Sequence, residues 1–271
     1  MPPKTPVRRH RKHQWSRTSL RCISVATFAV IILAWWLVSR AEIFTAVLLP
    51  SPEAVCLSFV DIVENGYKGI SLGQHFGVSM YRLLFSFLLV ILSAIPLGIL
   101  SGYHPVIGAI LDPLVEFYRP LPPLGYYTLL VLWLGINNPS KIALLYLAGF
   151  APVYIACVAG VRRIPTDYLD GAHTLGAGWW QTLWHVVIPA CLPDIFMGLR
   201  TGIGVTYTTL VAAEMVAAVS GLGWMVLDAS KYMRSDIIFA GIIIMGITGI
   251  LLNRVLRLIE KKVVPWEGKS A

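Results

Sequence analysis

Three stretches of the chain, residues 22–38, 83–100 and 142–161, contain no charged residue at all. Runs of this kind leave few folding options. A hydrocarbon layer about 30 Å thick takes about 20 apolar residues in a helix, and inside it every backbone N–H and C=O needs a partner from the chain itself. Three further apolar runs, residues 124–134, 197–219 and 237–256, bring the expected number of spans to six. The third of the six in chain order, 124–134, is too short alone, so it is expected to draw in residues 120–123, since proline at the start of a helix does not break it. Composition agrees: 56% of residues are hydrophobic and 13% charged, mean hydropathy is +0.71, and a soluble domain carries about a quarter charged residues. The expected fold class is all-α, a polytopic membrane protein with six transmembrane helices.

The 22 Lys and Arg against 14 Asp and Glu give a net charge of +8, a balance that could mean nucleic acid until the charges are placed along the chain. Residues 1–21 hold Lys4, Arg8, Arg9, Arg11, Lys12, Arg17 and Arg21 and no acid. This basic arm precedes the first apolar run, where positive-inside anchoring explains it. The run exceeds the apolar core of a signal peptide, and Val38-Ser39-Arg40-Ala41 offers no small-x-small cleavage site. With an inside N-terminus and six spans, sixteen of the 22 positive residues fall on the inner side. The outer side holds only Arg40, Lys68, Arg82, Lys141, Lys231 and Arg234. Arg82 is expected to snorkel to the headgroups. The basic balance is explained without nucleic acid, and both termini are expected on the cytoplasmic side of the membrane. The chain then divides into a basic arm (1–21), a membrane domain (22–262) containing a cytoplasmic loop (162–200), and a tail (263–271). Residues 41–80 are mixed and suit a short helix on the outer surface; residues 106–117 run along the inner side or re-enter the membrane.

The long cytoplasmic loop is the most patterned part of the chain. Residues 167–200 read Asp170-Gly171-Ala172, three residues, Gly176, nine residues, then Val186-Val187-Ile188-Pro189. Thr166 is placed to cap a short helix with Asp167 and Asp170 in its first turn, on the positive end of the helix dipole. Gly176 should end or bend that helix. A second helix from Trp179 should stop before Pro189, because the residue before a proline is pushed out of helical angles. Such a unit is too polar to span and is held at both ends by segments that do, which suits a docking surface.

The spacing resembles the "EAA" loop of bacterial ABC-importer permeases, Glu-Ala-Ala, three residues, Gly, nine residues, Ile-x-Leu-Pro, with Asp170 for the Glu, Gly171 for the first Ala, Val186 for the Ile and Ile188 for the Leu. Nearly the whole chain beyond residue 20 is similar to the taurine-importer permeases, through Leu49-Pro50-Ser51-Pro52, Tyr118-Arg119-Pro120-Leu121-Pro122-Pro123-Leu124, Gly198-Leu199-Arg200 and Ala212-Ala213-Glu214. The resemblance implies a type I ABC-importer fold. It also implies a permease homodimer, a separate ATP-binding ABC subunit engaged by Asp170, Gly171, Ala172, Gly176 and Pro189, and an extracytoplasmic substrate-binding protein. Taurine or a related small sulfonate would be the cargo; nitrate, alkanesulfonate, bicarbonate or a thiamine precursor are the alternatives within the class.

No catalytic constellation competes with this reading. A Gly-x-x-x-x-Gly-Lys-Ser/Thr phosphate loop is absent, since Gly268-Lys269-Ser270 lacks the upstream glycine, and Gly77-Val78-Ser79 does not continue as a nucleophile elbow. Cys22, Cys56, Cys157 and Cys191 are scattered. Histidines 10, 13, 75, 104, 173 and 185 lack metal-ligand spacing and read as surface or interfacial residues. No metal or cofactor is expected, ATP being used by the partner. Glu214 is the one acid well inside a span, where a carboxylate is costly and is by default functional or paired; a proton-coupled secondary transporter using Glu214 is the rival from another class. Gly198, Gly202, Thr206, Thr209 and Ala213 form a small-residue stripe suited to close helix packing. By resemblance this fifth span lines the central path, which makes Thr206, Thr209 and Glu214 path candidates; Arg119, at the cytoplasmic entry to the third span, is placed either to meet an anionic substrate leaving the path or, as interfacial arginines more commonly do, to pair with Glu116 or a lipid phosphate.

Overall fold

The computed structural model describes residues 17–266, in which every regular element is helical. The charged residues of the arm up to Lys12, and the end of the tail, lie outside the described residues. In chain order the helices are α1 (Arg17–Arg40), α2 (Pro52–Glu64), α3 (Leu72–Tyr103), α4 (Pro105–Tyr118), α5 (Pro123–Leu134), α6 (Asn138–Arg162), α7 (Thr166–Thr174), α8 (Trp179–Thr182), α9 (Ile188–Ala217), α10 (Leu222–Lys231) and α11 (Ser235–Val263). Five segments are long and apolar enough to cross a membrane: most of α1, then α3, α6, the stretch Trp179–Ala217 and α11. The sixth expected span is α5, an apolar helix of 12 residues, or about 18 Å at 1.5 Å per residue.

That short helix takes in Pro123 as its first residue but not residues 120–122. Residues 119–122 form a turn, with the Leu121 N–H donating to Tyr118 O, and Pro122 is extended at φ −62°, ψ 128°. A residue before proline is biased toward extended angles, Pro122 adopts them, and the turn at 119–122 separates α4 from α5.

Two details of the cytoplasmic loop also differ from expectation. Pro165, extended at φ −58°, ψ 137°, occupies the cap position and Thr166 is the first helical residue, with no side-chain cap. The second helix does not stop before Pro189: residues 183–187 form a π turn that leads straight into α9. A proline lacks the N–H that an α-helix would use and its ring crowds the carbonyl four residues back. A π turn at that point re-registers the ladder, so the helix passes through.

The centre of the bundle is α3, α6 and α9, joined through Phe87, Val90, Val153, Cys157, Leu199 and Ile203. The small-residue stripe of α9 makes this closeness possible. A Cβ on Gly202 would lie 2.6 Å from Val153 Cγ2, so a larger residue there separates α9 from α6. In contrast, none of the spanning stretch of α1 is buried. Its C-terminal end is tied down, by Trp35 stacked on Phe239 at 5.5 Å and by Trp35 Nε1 donating to Pro50 O at 3.0 Å.

A second cluster caps one end of the bundle, built from α2, the turn closed by the Tyr67–Ile70 bridge, α10 and the start of α11. Asp228 on α10 holds it, accepting from the Tyr67 hydroxyl at 2.9 Å and the Lys68 ammonium at 2.8 Å. Burial alone would raise the Asp228 carboxyl, but the Lys68 and Tyr67 hydrogen bonds outweigh it and hold the group below its ordinary value. Burial and the Asp228 carboxylate push the Tyr67 phenol up to about 12. A depressed carboxyl stabilises the fold above its unfolded value, about 4, and that contribution is lost as pH falls through the folded value. Asp228→Asn should therefore lower the thermal midpoint of the purified protein at neutral pH. The difference from wild type should shrink as pH falls below about 4; a gap independent of pH would contradict this account.

Candidate functional site

Helix α7 projects from the bundle with no buried residue. Its end is a Schellman turn: the Gly176 N–H donates to His173 O at 2.9 Å and the Ala177 N–H to Ala172 O at 3.0 Å. Gly176 sits at φ +81°, the left-handed geometry this motif needs and glycine adopts without strain. The turn folds α7 back toward α8, leaving a groove of about 700 Å³ whose walls include Asp167, Gly171, Ala172, Gly176 and Gln181. Around it Tyr168, Leu175, Trp180 and Trp184 are exposed, Leu175 by 89%. Asp170 is exposed and its side chain has no partner among the described residues. A Cβ on Gly171 would meet nothing within 4 Å, so the alanine usual in the EAA pattern fits there. Pro189 lies beyond the groove, in the first turn of α9. The loop thus brings together Gly171, Ala172 and Gly176 around one cavity, with Asp170 on the same helix and Pro189 apart from them.

Near its C-terminal end α9 closes a polar network. Glu214 is fully buried and Arg82 of α3 is 4% exposed; Arg82 Nη1 donates to Glu214 Oε1 at 2.7 Å and to Ser220 O at 3.0 Å, and Nε donates to Asn138 at 2.9 Å. Arg82 therefore points inward rather than to the headgroups, because a buried carboxylate demands a partner more strongly than an interface offers one. Three consecutive N–H groups of the α9–α10 turn are also held. Gly221 donates to His75 Nδ1 at 3.1 Å, Leu222 to Ser79 Oγ at 3.0 Å and Gly223 to Glu214 Oε2 at 3.0 Å. His75 is fully buried and stacked 5.6 Å from Trp224, so it is not a surface histidine. Its sequence signal was the spacing of His75, Ser79 and Arg82, which places all three on one face of a helix.

The path candidates separate on inspection. Thr206 is fully buried against α6 and donates to Gly202 O at 2.8 Å; Thr209 is buried as well. Met197, Thr201, Gly204, Val205 and Thr208 are the exposed residues along the opposite face of α9. Met197, Thr201 and Val205 line a cleft of about 480 Å³ bounded by α6 and by the α4–α5 break, with Tyr118, Arg119 and Tyr126 on that side. Of the four candidates, the structure puts Arg119 on an open cavity and Thr206, Thr209 and Glu214 in the packing behind it. A 3.6-residue period shows that α9 has two faces without saying which one is covered.

A bundle of apolar helices with one projecting helical unit and a cleft along its central helix suits the membrane-spanning component of a solute transport system. Residues 94–265 match the family of binding-protein-dependent transport system inner membrane components, and the chain belongs to that family. It is 39% identical to the taurine transport system permease protein TauC of Escherichia coli, over 96% of this chain and 95% of that protein. It is 34% identical to the putative aliphatic sulfonates transport permease protein SsuC of Bacillus subtilis, over 89% and 86% of the two chains. The nitrate import permease protein NrtB of Synechocystis is 32% identical over 89% and 88%. The chain is an ABC-importer permease subunit, a multi-pass inner-membrane protein, and the proton-coupled carrier reading falls away.

Removing one partner of a buried ion pair costs about 3–5 kcal/mol because the other charge is left stranded. Glu214→Ala should therefore strongly reduce the amount of folded protein in the membrane, and Glu214→Ala combined with Arg82→Met should recover much of it. Equal loss in the single and double variants would show that the pair is not the stabilising unit.

Proposed function

We propose that this chain is the translocating subunit of an importer for taurine or a related small sulfonate. Two copies assemble with two ATP-hydrolysing subunits, and an extracytoplasmic binding protein delivers the cargo. Both termini and α7 face the cytoplasm. The observation that carries the mechanism is the α7 groove with its exposed apolar rim, a surface shaped for a partner and joined through the π turn to one continuous helix. Asp170, Gly171, Ala172 and Gly176 engage the ATPase, and Pro189 lies where that motion enters α9. Closure of the ATPases on ATP then displaces α9 as a lever, and access alternates between the two sides. Arg119 and the Met197–Thr201–Val205 face border the route, while Thr206, Thr209 and Glu214 act from behind by fixing α9. Identity to TauC over nearly the whole of both chains supports the cargo assignment.

The test is uptake of labelled taurine by cells with and without this chain, in a strain lacking other taurine importers, with unlabelled alkanesulfonates and nitrate as competitors. Loss of uptake on deletion, with competition by taurine-like sulfonates only, is expected; competition by nitrate at equal potency, or unchanged uptake, would remove taurine from the reading. In the same assay Gly176→Pro, which can adopt neither the positive φ nor the hydrogen bond of the Schellman turn, should bring uptake near background with the protein still in the membrane. Full uptake in that variant would sink the coupling role of the loop.

A further inference from the structure

The cleft beside the α4–α5 break holds an unbalanced charge. Arg119 is the one charged residue on its walls, and its side chain makes no ion pair or hydrogen bond with any described residue. The arginines of the adjoining helices are all neutralised: Arg162 by Asp112 at 2.6 Å, Arg163 by Asp194 at 2.8 Å and Arg200 by Glu260 at 3.4 Å. Nearby acids do not serve Arg119. Asp112 is already taken by Ser101, Tyr154 and Arg162, and Glu116, one helical turn before Arg119, makes no ion pair with it. Next to Arg119 the Tyr118 hydroxyl is buried without a hydrogen-bond partner, and Tyr118 lines the same cleft. A buried donor left unsatisfied costs about 1–3 kcal/mol, a cost that a ligand oxygen would remove. The opposite wall is small and apolar, from Ala148, Ala151, Ala156 and Ala159.

We propose that this cleft is a subsite for a small alkanesulfonate in transit, in which the Arg119 guanidinium reads the sulfonate oxygens, the Tyr118 hydroxyl donates to one of them, and the alanine wall of α6 takes the methylene chain. The assignment rests on the importer reading above and deepens it by naming the residues of this chain that select the cargo. A sulfonate stays anionic at every physiological pH, so an apolar route needs a fixed counter-charge to admit it. The guanidinium fork matches two oxygens of such a head at once. A single cation, open on one side, also holds the anion weakly enough to let it go. The uncapped N-terminus of α5 begins at the same cleft, adding its partial positive charge.

The test uses the assembled, nucleotide-free complex carrying Thr201→Cys, with the exposed Cys22 and Cys56 replaced by serine. The rate of maleimide modification at position 201 is measured alone and with taurine, ethanesulfonate or inorganic phosphate. Either sulfonate should slow modification severalfold. Arg119→Gln should raise the concentration needed for half protection by on the order of 10- to 100-fold, Arg119→Lys by less, and Tyr118→Phe by about tenfold at most. Unchanged modification of the Arg119→Gln complex in the absence of any anion checks that its cleft is intact. Protection by ethanesulfonate but not taurine would keep the subsite and remove taurine as cargo. Protection by neither sulfonate in a complex that still imports taurine would overturn the subsite and leave the importer standing. Protection by phosphate as strong as by sulfonates would overturn the subsite too, marking Arg119 as an anchor for lipid headgroups.

Discussion

The ion pair between Arg82 and Glu214 is the interaction on which the rest of this structure depends. Glu214 is fully buried and Arg82 nearly so, and each is tolerable because the other is 2.7 Å away and further hydrogen bonds surround the pair. Ser79 donates to the carboxylate, Asn138 accepts from the guanidinium, and the backbone of the α9–α10 turn supplies Ser220 O and the Gly223 N–H. Satisfying the pair thus fixes α3, the start of α6, the end of α9 and the start of α10 at one point. An apolar cluster of the same volume could be as stable. It would not specify which turn of α9 faces which turn of α3, and a helix whose motion carries function must be specified in that way.

That registration explains the division of labour along α9. One face is committed to α6 through Gly198, Gly202 and Thr206, where no larger side chain fits. The other face is free to border the cleft, and it carries no charge of its own. From Trp179 the helical path runs 39 residues to Ala217, about 58 Å at 1.5 Å per residue. Its first turns adjoin the α7 groove and its last turns carry Glu214. The π turn at residues 183–187 is what keeps this path unbroken past Pro189, so one helical element joins the α7 groove to the Arg82–Glu214 network.

Much of this was legible in the sequence because the bilayer admits so few solutions. The uncharged runs fixed the spans, and each lies within a helix of the structure. Gly176 marked a helix end, and the small residues of α9 marked a packing seam, since both follow from local sterics. What could not be read were the outcomes of competition between local rules and tertiary partners. Pro189 obeyed no stop signal because a π turn was available. Arg82 left the interface because Glu214, 132 residues away, was a stronger attractor than headgroups. The spacing of His75 with Ser79 and Arg82 marked a helix face, but its burial did not show for the same reason: its partner is a backbone N–H on a turn that sequence spacing cannot place. Thr206 rather than Thr201 drew attention as a path residue because periodicity identifies faces and leaves their assignment to the neighbours.

The outer network also constrains how access can change. The three N–H groups at residues 221–223 and the carbonyl of Ser220 are held by α3 and α9 side chains. Freeing the α9–α10 turn alone would strand four backbone groups and the Arg82 guanidinium in a dry site, at a cost of several kcal/mol. A turn so held is a poor gate. The low-cost movement keeps α3, α6, α9 and α10 together and shifts them as a body, with the break at residues 119–122 and the exposed face of α1 as the places where contacts are few. If access alternates in this chain, this network favours rigid-body displacement, with the buried pair travelling intact inside the moving part.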